Sequence, residues 1–133
     1  MTIRNLCLGL FCSLLLLAPG CFNSTGEVEF KGKVTVDGVT VDLGVIEFEP
    51  VNRDTSSGGG IIAKGEYTAK VMPGEKVVRI RANKVLKEYF TDDGTKIIDQ
   101  QPLIPEEKSW AGSELRETIT KKTKELNYDL KTK

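Results

Sequence analysis

Apolar and polar residues alternate along much of this chain with a period of two, and this feature constrains the fold most. The stretch 27–36 is the clearest case. Because a strand places successive side chains on opposite faces, the pattern predicts a half-buried strand. Gly32 falls on the inner face, where a glycine indicates a bulge or the close approach of another backbone. The apolar face of this strand comprises Val28, Phe30, Val34 and Val36.

The same period recurs between strong turn signals such as Asp37-Gly38 and Pro73-Gly74. After Cys21 the chain contains 11 valines against 6 leucines, and branched side chains favour strands. A long helical period is not found. Short strands separated by frequent turns indicate an all-β sandwich with seven strands. Besides 27–36, the predicted strands are 43–49, 61–63, 67–71, 76–83, 115–120 and 125–130.

Two stretches lack this regularity. Residues 51–60, which end in Gly58-Gly59-Gly60, are predicted to form a flexible loop. Residues 84–114 are interpreted as an irregular insertion, either a projecting hairpin or a short helical turn over 85–90 followed by loops. Exposed aromatic residues on loops often carry recognition, so Tyr89, Phe90 and Trp110 are the candidate contacts for a ligand or partner. The alternative is that they form a small satellite core.

Residues 1–20 have the composition of an export signal. One basic residue, Arg4, precedes an apolar run from Leu6 to Ala18, and small residues follow. This run is too short to span a bilayer. The alternative of a buried N-terminal helix has no amphipathic partner later in the chain. We therefore predict a cleaved signal peptide over 1–20, an anchor and linker over 21–26, and one domain over 27–130.

The segment Leu17-Ala18-Pro19-Gly20-Cys21 resembles the lipobox of bacterial lipoproteins. The resemblance implies cleavage after Gly20, a thioether-linked diacylglycerol on Cys21, and acylation of the new amino terminus. Two or more acyl chains anchor a protein stably. The expected location is therefore a bacterial membrane, at the outer membrane or a periplasm-facing surface. Ordinary cleavage, which would leave Cys21 as a free thiol, is the alternative.

A second resemblance covers residues 27–130. The segments 32–38 and 44–50, then Gly65-Glu66-Tyr67 and Pro73-Gly74, resemble carboxypeptidase regulatory-like domains, which are transthyretin-like Greek-key sandwiches. Ile104-Pro105 and the late strands resemble the end of small lipoprotein members. Lys108 stands where those members have a tyrosine, and Trp110 supplies an aromatic residue nearby. The resemblance implies a Greek-key sandwich and no catalytic residues.

Composition removes several classes of function. The chain has 19 basic and 19 acidic residues, so the basic excess of nucleic-acid binders is missing. It contains no histidine, and its three cysteines lie within the first 21 residues. Neither an imidazole base nor a Cys-rich metal site can be built from residues 22–133. Paired acids such as Glu47 and Glu49 are read as a solvated strand face.

These observations lead to two hypotheses of function. The preferred one is a non-catalytic, envelope-anchored interaction or structural module. The alternative is a small-ligand binding protein, for a carbohydrate for example, that uses residues 84–114. We expect no cofactor, no metal and no nucleic-acid partner, a membrane contact through the lipid at Cys21, and a monomer.

Overall fold

A computed structural model describes residues 26–105 and 114–133. Within these ranges the regular structure consists of β-strands and contains no helix. The all-β prediction is therefore confirmed. The strands are β1 Val28–Val36, β2 Val39–Thr40, β3 Leu43–Pro50, β4 Gly58–Ala63, β5 Glu66–Val71, β6 Gly74–Phe90, β7 Lys96–Pro102, β8 Arg116–Ile119 and β9 Tyr128–Leu130.

The strands form one curled sheet in which seven follow one another in the order β2-β1-β5-β4-β3-β6-β7. The remaining two lie beside this path, where β8 pairs with β6 and β9 pairs with β1. All the strand pairs are antiparallel except β1 with β9, which are parallel. This curled antiparallel sheet is consistent with the predicted sandwich.

The core lies on the concave side of the sheet, and the predicted apolar faces supply it. Ile46 and Phe48 of β3 are fully buried, as are Val78 of β6 and Val71 of β5. Three aromatic rings pack at its centre. Phe30 meets Phe48 edge-on with ring centroids 5.2 Å apart, and Tyr67 lies 6.4 Å from Phe30. Such edge-to-face pairs add to the stabilisation from apolar burial.

The prediction of a loop over 51–60 is wrong for its last three residues, because Gly58–Gly60 begin β4. Gly58 lies directly opposite Phe48 and Gly60 opposite Ile46, so small residues face large ones. A Cβ on Gly60 would overlap the carbonyl oxygen of Thr68. The side-chain alternation that identifies other strands cannot appear in a run of glycines, and the run permits the close spacing of β4 with its neighbours.

Within the predicted irregular insertion at 84–114, residues 84–90 and 96–102 form regular strands, and residues 106–113 lie outside the described part of the chain. Strand β6 continues to Phe90 and pairs with β7, so the hairpin alternative is right and the helical turn is not. The ladder shifts register between Val85 and Lys87, which indicates a β-bulge. The bulge interrupts the alternation of apolar and polar residues, so the sequence pattern does not predict the second half of β6 as a strand.

The late strands are shorter than predicted. Residues 116–119 form β8, and only 128–130 of the predicted strand 125–130 form β9. Glu125 makes an isolated parallel bridge to Lys31, so the segment already follows β1 from that point. Leu126 approaches Gly32, where a Cβ would overlap its carbonyl oxygen. The predicted close backbone approach at Gly32 is therefore confirmed.

Candidate functional site

The most distinctive surface feature is the hairpin formed by the second half of β6 and by β7. Strand β3 pairs with β6 only up to Asn83, which lies opposite Leu43, the first residue of β3. From Lys84 to Phe90, β6 pairs with β7 alone. The hairpin therefore projects beyond the sheet as a two-stranded ribbon. Such ribbons are marginally stable by themselves in water, so apolar residues exposed on one require a reason.

The hairpin is fixed at its base and at its tip. At the base, the Val85 amide donates a 2.9 Å hydrogen bond to the carboxylate of Asp42, the residue just before β3 begins. At the tip, the Thr91 amide donates to the Thr95 carbonyl (2.9 Å), and Asp93 accepts bonds from Thr91 and Thr95. The Thr91 hydroxyl bond, followed by the Thr95 amide bond, lowers the pKa of Asp93. The bond at the base fixes the orientation of the ribbon relative to the sheet, and the bonds at the tip fix the shape of its turn.

Three large apolar side chains of the hairpin face solvent. Phe90 is 69% exposed, Leu86 56% and Tyr89 43%. Ile97 and Ile98 on β7 are half-buried. Exposed aromatic residues near the centre of a contact commonly contribute most of its binding energy. The hairpin is therefore the candidate interaction surface of the described residues.

Two of the three predicted contact residues, Tyr89 and Phe90, are neighbours in β6 but lie on opposite faces of the hairpin. Tyr89 lies opposite Ile97, and Lys87 lies over its ring with the Nζ 5.6 Å from the centroid. Phe90 lies opposite Lys96, on the other face. The third predicted contact, Trp110, and the predicted lipidation site, Cys21, both lie outside the described residues. Leu86 was not selected from the sequence, because the bulge beside it hides its exposure.

The hairpin and the N-terminal entry of the domain lie at opposite ends of the sheet. Strand β1 is antiparallel to β5, β5 to β4, β4 to β3 and β3 to β6. Strands β1 and β6 therefore run in the same direction. Gly26 precedes the start of β1, whereas the hairpin extends from the far end of β6. A tether at the N-terminus would thus hold the hairpin tip away from the attachment point.

The convex face of the sheet carries a second, shallower feature. An open groove with a volume of about 760 Å³ lies across β1 and β5 and reaches β4. Ile61, which is 72% exposed, contributes its apolar part, and Lys31, Lys33, Glu66 and Thr68 contribute polar groups. The Lys33–Glu66 contact is a loose 3.9 Å pair between well-exposed side chains. Such pairs contribute little to stability and leave the groove open to solvent.

The paired acids Glu47 and Glu49 lie on the outer face of β3, where both are half-buried. Glu49 accepts a 2.6 Å charged hydrogen bond from Arg79 Nε, and Glu47 lies opposite Arg79 in the ladder.

In the described residues, no three Cys, Asp or Glu side chains are grouped in a way that could hold a metal ion. The described part of the chain also contains no helix long and apolar enough to cross a membrane.

One charged side chain faces the core. Lys76 is only 1% exposed, and its Nζ donates a 2.7 Å hydrogen bond to the Thr55 hydroxyl. Burial lowers its pKa, and the nearby charge of Asp54 opposes that shift. Glu117 lies opposite Lys76 on β8 and accepts a 3.3 Å bond from the Tyr128 hydroxyl. Burial raises the pKa of Tyr128. Lys76 lies near the start of β6, at the end of the sheet where β1 also begins.

Comparison of the chain with protein-family models, with curated proteins and with solved structures finds no match.

Proposed function

We propose that this protein is a non-catalytic lipoprotein of a bacterial envelope. In this proposal Cys21 carries the lipid, residues 27–130 form a carboxypeptidase regulatory-like sandwich, and the β6–β7 hairpin binds an envelope protein. The single observation that supports this most is the projecting ribbon with exposed Leu86, Tyr89 and Phe90 at the end remote from Gly26. The lipobox and the resemblance described above support the anchor and the fold family.

Both faces of the ribbon carry apolar side chains, which favours a partner that encloses the hairpin. Burying Phe90 and Leu86 in a partner would remove from water much of the area that these side chains expose. The partner would have to accept the Lys96–Glu88 ion pair, whose atoms are 2.9 Å apart, at the rim of the contact. A protein groove with an apolar floor and a polar edge has this character.

Site-specific photo-crosslinking in intact cells tests the proposal. A photoreactive phenylalanine analogue replaces Phe90 in one strain and Glu75 in another. Glu75 is exposed on the same strand, at its other end, and serves as the matched control. We expect a discrete protein adduct from position 90 and none from position 75. The absence of an adduct at 90, or an equal yield of the same adduct at 75, contradicts the proposal.

The anchor has an independent test. Mass spectrometry of the mature amino terminus should show an acylated Cys21 and no residues before it. An unmodified thiol at that position, or an intact Met1, contradicts the lipoprotein proposal and leaves the hairpin proposal standing.

The alternative function is the binding of a small ligand, such as a carbohydrate. Tyr89 and Phe90 occupy opposite faces of a ribbon, so they cannot form two walls of one shallow cleft. This is why the interaction module is preferred. The groove across β1 and β5, with about 760 Å³, is larger than a second open groove of about 300 Å³ between β3 and β4. A glycan screen that yields a saturable binder, together with no crosslink at position 90, would reverse the preference.

A further inference from the structure

The turn that joins β8 to β9 carries a cluster of exposed lysines. Lys121, Lys122 and Lys124 all point into solvent. Across the described residues, none of the three makes an ion pair with a carboxylate. Three cations within four positions repel one another, so an anionic partner would stabilise them. We call Lys121, Lys122 and Lys124 the lysine turn.

Hydrogen bonds hold the lysine turn in one shape. The Thr123 amide donates to the Thr120 carbonyl, and the Thr120 amide donates to the Thr123 hydroxyl, each at 3.0 Å. The Lys122 amide donates to the Thr120 hydroxyl at 3.3 Å. Paired threonines of this kind fix a tight turn. The cations are therefore presented on a rigid loop.

The lysine turn lies at the end of the sheet where the chain enters the domain. Ile119 pairs with Gly74, the first residue of β6. The carbonyl of Lys124 accepts a 3.2 Å hydrogen bond from the Lys31 amide, early in β1. The turn thus lies between the start of β6 and the first half of β1, in the half of the sheet where the chain enters at Gly26. Acidic residues lie beside it as well, since Glu75 and Glu117 belong to the β6–β8 ladder and Glu125 bridges to Lys31.

We propose that the lysine turn binds the anionic head groups of the membrane in which Cys21 is anchored. This inference rests on the proposed lipid anchor. The five peptide steps from Cys21 to Gly26 span at most about 17 Å, so the entry end of the domain is held close to the bilayer. A basic patch adds a second attachment to an acyl anchor, and each lysine strengthens binding roughly fivefold.

Such a contact fixes the orientation of the domain. A single flexible tether leaves a domain free to rotate above the bilayer, whereas a second contact at the same end holds the sheet upright. The β6–β7 hairpin then points away from the membrane. The lysine turn therefore deepens the proposed function, because it presents the hairpin to a partner rather than to lipid.

Lysine footprinting tests this contact with probes that the chain already contains. The purified full-length protein is reconstituted into phosphatidylcholine vesicles with and without phosphatidylglycerol. An amine-reactive reagent is applied, and modification of each lysine is read by mass spectrometry. Hairpin residues Lys84, Lys87 and Lys96 are the internal controls, because they lie at the opposite end.

We expect phosphatidylglycerol to reduce modification of the lysine turn severalfold and to leave the hairpin lysines unchanged. High salt should abolish the difference, because it screens exposed charges. Substituting Lys122 alone by glutamine should weaken the protection of Lys121 and Lys124 by phosphatidylglycerol while leaving the thermal stability unchanged, because the side chain is exposed. A lysine turn as reactive with phosphatidylglycerol as without it overturns the inference.

The test separates this inference from the proposed anchor. An acylated Cys21 with an unprotected lysine turn overturns the inference and leaves the anchor intact. An unmodified Cys21 with a protected lysine turn overturns the anchor and supports head-group binding by the turn itself. An unmodified Cys21 with an unprotected lysine turn overturns both.

Discussion

Replacing Gly32 by alanine should destabilise the domain more than any exposed substitution, because the C-terminal segment crosses directly over this glycine. An added Cβ would overlap the Leu126 carbonyl oxygen and lie 2.8 Å from Tyr67 Cε1. The overlapping atom belongs to the backbone, so a side-chain rotation cannot relieve the collision. The segment 124–126 has to move away from β1.

The size of the effect follows from what that movement breaks. Three hydrogen bonds hold the segment at this point. They are Tyr67 hydroxyl to Leu126 carbonyl at 2.7 Å, Leu126 amide to Lys31 carbonyl at 3.0 Å, and Lys31 amide to Lys124 carbonyl at 3.2 Å. At about 1 kcal/mol each, their loss costs about 3 kcal/mol. Re-exposure of part of the Leu126 side chain adds about 1 kcal/mol.

Urea and thermal unfolding of the full-length protein measure this cost. A loss of 3 to 4 kcal/mol should lower Tm by about 15 °C in a domain of this size. Gly94→Ala is the control, because its added Cβ meets nothing within 4 Å and its φ of +83° costs about 1 kcal/mol. Tyr67→Phe should lose about 1 kcal/mol, the share of one hydrogen bond. If Gly32→Ala is no more destabilising than Gly94→Ala, the close approach of the C-terminal segment is refuted.

Three further predictions concern charge and exposure. Lys76→Met should keep or raise the free energy of unfolding at pH 7, because it removes a buried charge whose pKa burial has lowered. The cost of burying this charge disappears only at alkaline pH, where Lys76 loses its proton in the folded state. A urea titration that shows a loss above about 1 kcal/mol would contradict this prediction. Hydrogen bonds from Thr132 lower the pKa of Asp37, and those from Lys131 and Thr35 lower the pKa of Asp129. The stabilisation from these two carboxylates is therefore present above pH 3.8 and declines as the pH falls through the lowered pKa values. Asp37→Asn should flatten the acid limb of a pH–stability curve, and an unchanged limb would show that Asp37 does not contribute to it. Phe90→Ser should leave Tm within about 2 °C of the parent, because an exposed side chain contributes little to folding stability. A larger drop in Tm by calorimetry would show that Phe90 packs against other residues of the folded domain.

The parts of the fold that follow from local alternation were predictable. In β1, β5 and the first half of β6, the residues expected to face inward are buried, Phe30, Tyr67 and Ile80 among them, and Val28 at the start of β1 is partly buried. Each of these strands has one face on the core and one in water, so the pattern of side chains records the pattern of burial. The turn at Asp37-Gly38 was equally readable, since both residues adopt positive φ values of 50° and 77°.

Other features depend on contacts between distant segments and leave no local signal. The triple glycine forms a strand because β3 and β5 accept it closely on either side, and glycines carry no alternation. The parallel pairing of β9 with β1 joins residues 94 positions apart, such as Val34 and Tyr128. Short apolar segments such as this do not identify their partners by sequence alone.

The candidate site was predicted in part for the same reason. Tyr89 and Phe90 were selected because they are aromatic and lie outside a regular pattern, and both are exposed. Their separation onto opposite faces could not be predicted, because it requires knowing that 85–90 is a strand. The bulge at Val85/Lys87 shifts the period, and apolar residues on both faces resemble neither a half-buried strand nor an amphipathic helix.

The direction of the strands decides between two uses of the exposed hairpin. An apolar tip with Leu86 and Phe90 could in principle insert into the bilayer that holds the anchor. Val78 lies level with the start of β1, and from there the twelve residues to Phe90 extend about 40 Å along β6. The tether before Gly26 reaches at most about 17 Å, at the opposite end. In the proposed arrangement, with Cys21 anchored and the lysine turn on the head groups, this tip would stay out of the membrane, where the proposed partner would cover it.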